Sequence, residues 1–328
     1  MSRNARLLLI DKDQVESLIT LDDALAATRD AFILHARREG KIFPLVREKL
    51  ASGSVFGIKS GSVESRNILG FKAAGFWPGN RALGGEPHQA TILLFDPDTG
   101  RPLCVIDGNI VTTLRTGAAG GLGLLQFARP DSTRLCVFGT GVQAQIQTRF
   151  ALRLMPELRH VDYVSVSGEA DARFESAIAT EAATAGARIA HAADRDRAVA
   201  ESDIVITATP GTGPLFSRDA VQPGTHINAV GADTEGKREL PEGLLQRARL
   251  FVDDEAQARQ IGETQWAKDT PCIPLGKLLA GEASFTRAPE DITVFDMTGI
   301  ALQDLTVAQL LLQRAEDANT GTVVNWPW

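Results

Sequence analysis

Six residues, Gly139-Thr140-Gly141-Val142-Gln143-Ala144, carry the spacing G-x-G-x-x-A, and the chemistry this spacing allows is the gripping of a phosphate by bare backbone. Gly139 permits a tight turn, Gly141 lets an anion approach the main chain, and Ala144 is small enough for a following helix to sit against the preceding strand. A helix N-terminus at this point offers N–H groups and the positive end of a dipole. The flanks give the string its meaning: residues 135–138 predict a buried strand before it, and residues 142–155 a helix after it. Together they predict a dinucleotide site. The alternative is a glycine-rich strand-to-helix turn that holds nothing.

A second strand is expected at residues 163–166, and an acid just beyond it would accept hydrogen bonds from the adenosine ribose and repel a 2′-phosphate. Glu169 is the candidate, so NAD is expected, with NADP as the alternative; otherwise Glu169 only opens the helix at residues 170–185. Thr207-Ala208-Thr209 and Val230-Gly231-Ala232-Asp233 stand at the ends of two further strands, residues 204–208 and 227–230. Open α/β sheets place ligand contacts there, outside the carboxyl ends of strands. Each also reads as an ordinary turn.

Four cations in the first half, Arg47, Lys59, Lys72 and Arg115, offer a different chemistry, the holding of carboxylates. Taken singly, each is a solvated surface charge. Lys72, however, sits in the apolar and small-residue stretch LGFKAAGFWPGN, where a buried cation needs an anionic partner. Arg115 is the lone charge of TTLRTGAA, and a planar guanidinium there can fork a substrate carboxylate.

The elements that must position these residues fall into two rhythms. An apolar strand at residues 7–10 leads to a helix at residues 21–38, opened by a capping-box-like pair Thr20 and Asp23. Short β-like runs follow at residues 46–50, 55–59, 68–76, 89–95 and 103–106, broken by Gly, Pro and Asn; they predict an α+β domain on an antiparallel or mixed sheet. A helix at residues 112–127 connects to strand-helix alternation, which means a parallel sheet with helices on both faces. A last helix, residues 305–316, lies past that pattern and suits packing back on the first half. The expected fold class is α/β: a Rossmann dinucleotide-binding domain plus an α+β domain.

Bulk composition narrows the function. At 328 residues, with 44% hydrophobic and 23% charged, the chain reads as an ordinary globular protein of two domains. A net charge of −7 argues against general nucleic-acid binding, which rests on clustered Lys and Arg. The three cysteines and five histidines are scattered without ligand spacing, so neither a disulfide framework nor a protein-bound metal is expected. The apolar run at residues 7–10 is too short for a signal or a membrane span, and a cytoplasmic location without membrane partners is expected.

With these motifs in place, the sequence resembles the ornithine cyclodeaminase and mu-crystallin family, which also includes alanine dehydrogenases and ketimine or imine reductases. The resemblance spans nearly the whole chain and rests on LLFDPDTGRPLCVIDG from Leu93, TTLRTGAA from Thr112, VFGTGVQAQ from Val137, ITATPGTGPLF from Ile206, PGTHINAVGAD from Pro223 and VFDMTGIALQDL from Val294. It implies a homodimer. It also implies a substrate and dimerisation domain of residues 1–115 with 303–328, and an NAD(P)-binding Rossmann domain of residues 116–302 whose contacts include Thr116. It places the substrate carboxylate among Arg47, Lys72 and Arg115, and makes Asp233 the acid beside the substrate nitrogen.

Two departures from the family pattern sharpen the reading. Cyclising members that handle a diamino acid carry an acid thirteen positions before the motif lysine; here that position is Lys59, which repels a distal amine and welcomes a second carboxylate. Where many relatives have Lys-Ser, this chain has Asp296-Met297. The expected reaction is therefore reduction of a small imino acid by NAD(P)H, iminosuccinate to aspartate fitting the cations best, with Asp233 and Lys72 as catalytic groups. Alanine dehydrogenase and ketimine reductase are the alternatives within that class. A cyclodeaminase lyase, which returns its cofactor unchanged, and a noncatalytic crystallin-like binding protein are the alternatives outside it.

Overall fold

The computed structural model describes residues 5–327, and the chain divides into two compact units. One comprises the chain up to Arg115 together with the chain from Ile300 onward; the other runs from Thr116 to Gly299. The return to the first unit comes at Ile300 rather than at residue 303, because a helix begins there.

The first unit opens with strand β1 (Ala5–Ile10) and helices α1 (Lys12–Leu18) and α2 (Leu21–Ala36). Thr20 and Asp23 cap α2 reciprocally, each side chain taking the other's backbone N–H, as their spacing predicts. Strands β2 (Lys41–Ile42), β3 (Val46–Lys49), β4 (Val55–Val63), β5 (Ile68–Phe76), β6 (His88–Phe95) and β7 (Pro102–Asp107) follow. Helix α3 (Gly108–Phe127) then begins in this unit and runs across the division at residue 115.

The second unit alternates strand and helix: β8 (Arg134–Phe138), α4 (Val142–Leu154), β9 (His160–Val164), α5 (Ala172–Ala185), β10 (Arg188–His191), α6 (Arg195–Ala200), β11 (Ile204–Thr207) and β12 (His226–Ala229). It ends with β13 (Arg249–Val252), α7 (Glu255–Ile261), β14 (Cys272–Pro274), α8 (Leu275–Leu279) and β15 (Thr293–Asp296). Helix α9 (Ala301–Asp317) and strand β16 (Thr322–Trp326) return to the first unit.

The sheet of the first unit is mixed. Its order is β16-β1-β7-β6-β5-β4-β2 with β3 also on β4; only β1 and β7 run parallel. Helix α9 lies over β4, β5 and β6 and beside α2, and Arg314 forks the Asp23 carboxylate with two bonds of 2.6 Å. The Asp23 carboxyl is thereby held far below the usual carboxylate range by Arg314.

The sheet of the second unit has the order β10-β9-β8-β11-β12-β15-β13-β14, and every pairing is parallel. Strands β11, β12 and β15 are buried along their whole length, as a sheet covered on both faces requires, so apolar runs replace alternation. The chain reverses direction across the sheet between β8 and β11, which makes the ends of these strands the topological switch point. The fold is therefore α/β, a Rossmann unit plus an α+β unit. No helix among the described residues is long and apolar enough to cross a membrane.

Candidate functional site

In the second unit the turn after β8 is built as its glycines predict. Gly139 has φ +102°, a conformation L side chains rarely adopt, and a Cβ there would lie 2.6 Å from the Ala208 carbonyl oxygen. Gly141 is the N-cap of α4; no side chain caps the helix, and a Cβ at Gly141 would meet nothing within 4 Å. The first turn of α4, Val142, Gln143 and Ala144, thus presents its N–H groups next to open space, with Ala144 buried beneath. A phosphate-sized anion fits that cradle, and α4 is long enough for its dipole to matter. Thr116, expected among the dinucleotide contacts, is buried, and its carbonyl receives Gln147 Nε2 at 2.8 Å.

The region after β9 differs from expectation. The strand stops at Val164 rather than 166, and Val166 is 82% exposed. Ser165 Oγ donates to the Glu169 carbonyl at 2.6 Å and lies 3.1 Å from Ser167 Oγ, while Gly168 has φ +77°, so side-chain bonds fold a turn where ladder bonds were expected. Glu169 is exposed on that turn, and the helix starts at Ala172 rather than 170. The acid that the fold brings to the phosphate turn is Asp171. It caps α5, and the Thr140 hydroxyl, then the backbone N–H groups of Phe174 and Arg173, hold its carboxyl below the usual range. Its position as a cap, seven residues past the strand, hid it in the sequence.

Beyond β11 and β12 the two strand-end loops converge on Glu239, which sequence reasoning missed. Thr207 is wholly buried, and its hydroxyl donates to Glu239 Oε2 at 2.7 Å, so any part it has in binding is indirect. Thr209 donates to Oε1 through its N–H at 2.7 Å and its hydroxyl at 2.8 Å; Gly231 N donates to Oε2 at 2.8 Å. Ala208 and Val230 lie between these anchors, Ala208 part-exposed and Val230 buried. Asp233 is part-exposed, and its Oδ1 receives Lys237 Nζ at 2.7 Å. Asp296, at the end of β15, is buried and accepts the N–H and hydroxyl of Thr264 at 2.8 and 2.7 Å. Burial pushes Asp296 up to about 7 and, with the Asp296 charge added, Glu263 up to about 8.

In the first unit the cations gather on one face of one sheet. Lys59 on β4 stands directly opposite Lys72 on β5, and Arg47 on β3 opposite Gly57, two residues from Lys59 and so on the same face. This is the face α9 covers, since Leu305 of α9 packs at Gly70, two residues from Lys72. Lys72 is 3% exposed and Arg115 7%. Both converge on Asp304 in the first turn of α9: Lys72 Nζ and Arg115 Nε donate to its Oδ1 at 2.8 and 3.0 Å. Lys72 Nζ also donates to Thr112 Oγ1 at 3.1 Å, and Arg115 Nη1 to Gln303 Oε1 at 3.2 Å.

Asp304 is the anion that a buried Lys72 demands, and it too was missed. Burial works to raise its carboxyl, but the charges of Lys72 and Arg115 overcome this and hold it below the usual range. Lys72 is pulled down to about 7, first by burial and then by Arg115, with Lys59 adding to the repulsion that Asp304 opposes. Three cations thus act on the Asp304 carboxylate, and the charges of Arg115 and Lys59 both bear on Lys72.

The geometry agrees with what comparisons show. The profile of the ornithine cyclodeaminase/mu-crystallin family matches residues 7–319. The chain is 35% identical to an iminosuccinate reductase of Paracoccus denitrificans, across 94% of this chain and 97% of that one. Among solved structures, the iminosuccinate reductase of Paracoccus denitrificans in complex with NAD+ superposes with a TM-score of 0.87 at 34% identity, covering 98% and 99% of the two chains. An archaeal alanine dehydrogenase dimer with bound NAD does so with a TM-score of 0.89 at 31% identity, again covering 98% and 99%.

Proposed function

The chain belongs to the ornithine cyclodeaminase/mu-crystallin family, and from that premise we propose that it reduces a small dicarboxylic imino acid, iminosuccinate, to the amino acid aspartate. NAD(H) is its cofactor, in keeping with the NAD-bound relatives and with the open cradle at Gly141. When bound, the reduced nicotinamide supplies the hydride that the imine carbon accepts.

The observation that carries the dicarboxylate reading is Lys59 standing opposite Lys72 on paired strands. Like charges directly across a ladder destabilise it, and Lys59, Lys72 and Arg115 all act on the buried Asp304 carboxylate. A substrate with two carboxylates relieves that repulsion. Arg47, Lys72 and Arg115 hold the α-carboxylate, with Arg115 providing the planar fork, and Lys59 holds the distal one. Asp233 offers its carboxylate to the imine nitrogen, keeps that nitrogen protonated and its carbon electrophilic, and relays the proton. Lys72, at about 7, exchanges a proton near neutrality and so adjusts the charge that the substrate meets.

Alanine dehydrogenase is the second reading, favoured by the archaeal structure. NADH oxidation with oxaloacetate plus ammonia, against pyruvate plus ammonia, separates the two. Turnover on pyruvate alone overturns the dicarboxylate reading, and cofactor-neutral ammonia release from ornithine overturns reduction altogether. Assembly as a homodimer is part of the proposal. It is supported by the exposed apolar residues Val46 on β3 and Val323, Val324 and Trp326 on the edge strand β16, and is checked by light scattering of the purified protein.

A further inference from the structure

The parallel ladder between β11 and β12 ends with Val230 N–H donating to the Thr207 carbonyl at 2.9 Å. Past that bond the two strand ends are joined through a side chain. Glu239 Oε2 takes Thr207 Oγ1 from one strand and Gly231 N from the other, and Oε1 takes the N–H and hydroxyl of Thr209. Four donors occupy the four acceptor sites of one buried carboxylate. We propose that Glu239 is a positioning residue: it extends the ladder by one step and thereby holds the loop carrying Asp233 in register with the loop after β11.

Three further observations support this role. Position 231 admits no side chain, because a Cβ there would run into the Thr209 carbonyl oxygen and Glu239 Oε1; the loops are as close as backbone allows. Glu239 is itself pinned, its N–H donating to Glu263 Oε1 at 2.5 Å and its carbonyl receiving Leu215 N at 2.8 Å. The loop also closes on itself, since Lys237 Nζ donates to the Gly231 carbonyl at 3.2 Å and to Asp233 Oδ1 at 2.7 Å. Gly231 is thus fixed through its N–H by Glu239 and through its C=O by Lys237, and Asp233 follows two residues on.

The inference rests on the proposed function, in which Asp233 meets the imine nitrogen and the loop after β11 meets the dinucleotide. It is tested in the full-length protein with Glu239→Gln, whose amide keeps the shape but presents one acceptor oxygen in place of two. Backbone hydrogen exchange in residues 207–211 and 230–236 is expected to speed up about tenfold in both segments together. The NADH dissociation constant, read by fluorescence, rises about tenfold and kcat falls about 10- to 100-fold, as loss of a buried charged hydrogen-bond acceptor implies. The KM for the imino acid stays within about threefold, because the carboxylate-holding cations belong to the other unit.

Thr207→Val removes one donor, keeps the side-chain volume and leaves the carboxylate in place; it shifts the same quantities in the same direction by about threefold, and decides the matter if Glu239→Gln does not fold. The proposal is overturned if the folded variants lower only the melting temperature, with NADH affinity and kcat unchanged, or if the two segments respond separately. A wild-type protein that binds no NADH or reduces no imino acid overturns the functional reading instead, while the exchange result still tests the coupling of the loops.

Discussion

The two units solve opposite electrostatic problems. In the second, the buried carboxylates Glu239, Asp253 and Asp296 are each met by backbone N–H groups and threonine hydroxyls at the strand ends. In the first, Lys59, Lys72 and Arg115 act around one acid, Asp304. An acid held by neutral donors braces the backbone that supplies them. Cations gathered at one buried acid repel one another, and in the proposed function a substrate carboxylate offsets that repulsion. The difference separates architecture from recognition within one chain.

The sharpest way to break that contrast is to remove a cation. Arg115→Ala leaves Asp304 with one partner fewer and deletes the carboxylate fork; kcat/KM for the imino acid should fall about 1000-fold while circular dichroism stays native. Lys59→Glu should lower kcat/KM about 100-fold for oxaloacetate plus ammonia and change it little for pyruvate plus ammonia, as paired assays will read. An equal loss on both would remove Lys59 from the distal-carboxylate role.

A gentler probe is pH. Lys72 is charged below about 7 and neutral above it, so KM for the imino acid should rise as pH climbs through 7, by up to about tenfold per unit. A flat KM between pH 6 and 8 would mean that the Lys72 charge takes no part in binding.

The smallest effect belongs to Asp296. Asp296, raised from 3.8 to about 7, favours the native state most below its unfolded pKa, and that contribution is lost as pH rises through about 7. Asp296→Asn should therefore flatten the fall in stability between pH 4 and 8 and raise the melting temperature by about 2–4 °C at pH 8, by calorimetry.

Much of this was legible in the sequence because it is local. The phosphate turn, its flanking strand and helix, and the β-strands carrying Lys59 and Lys72 are each specified by neighbours within a few residues. The braces and counter-charges are not. Asp304 meets Lys72 across 232 positions and Arg115 across 189, and Glu239 meets Thr207 across 32. A signal did exist for Asp304: Lys72 in an apolar stretch required an anion, and Asp304 is the acid in the first turn of a largely buried helix. The strand bound expected before Glu169 was too long for another reason, since serine side chains compete with the ladder and end β9 early. Short elements such as β13, β14 and β16 carry too few residues for periodicity to be seen.

The return of α9 to the first unit also bears on the order in which a ribosome-bound chain acquires structure. The second unit is contiguous and has all its strands once residue 299 has emerged, whereas the first, though synthesised earlier, lacks its covering helix until residues 301–317 follow. Until then Lys72 and Arg115 have no Asp304, and burying them is unfavourable. The nascent first unit therefore cannot complete this cation-lined face until residues 301–317 have emerged.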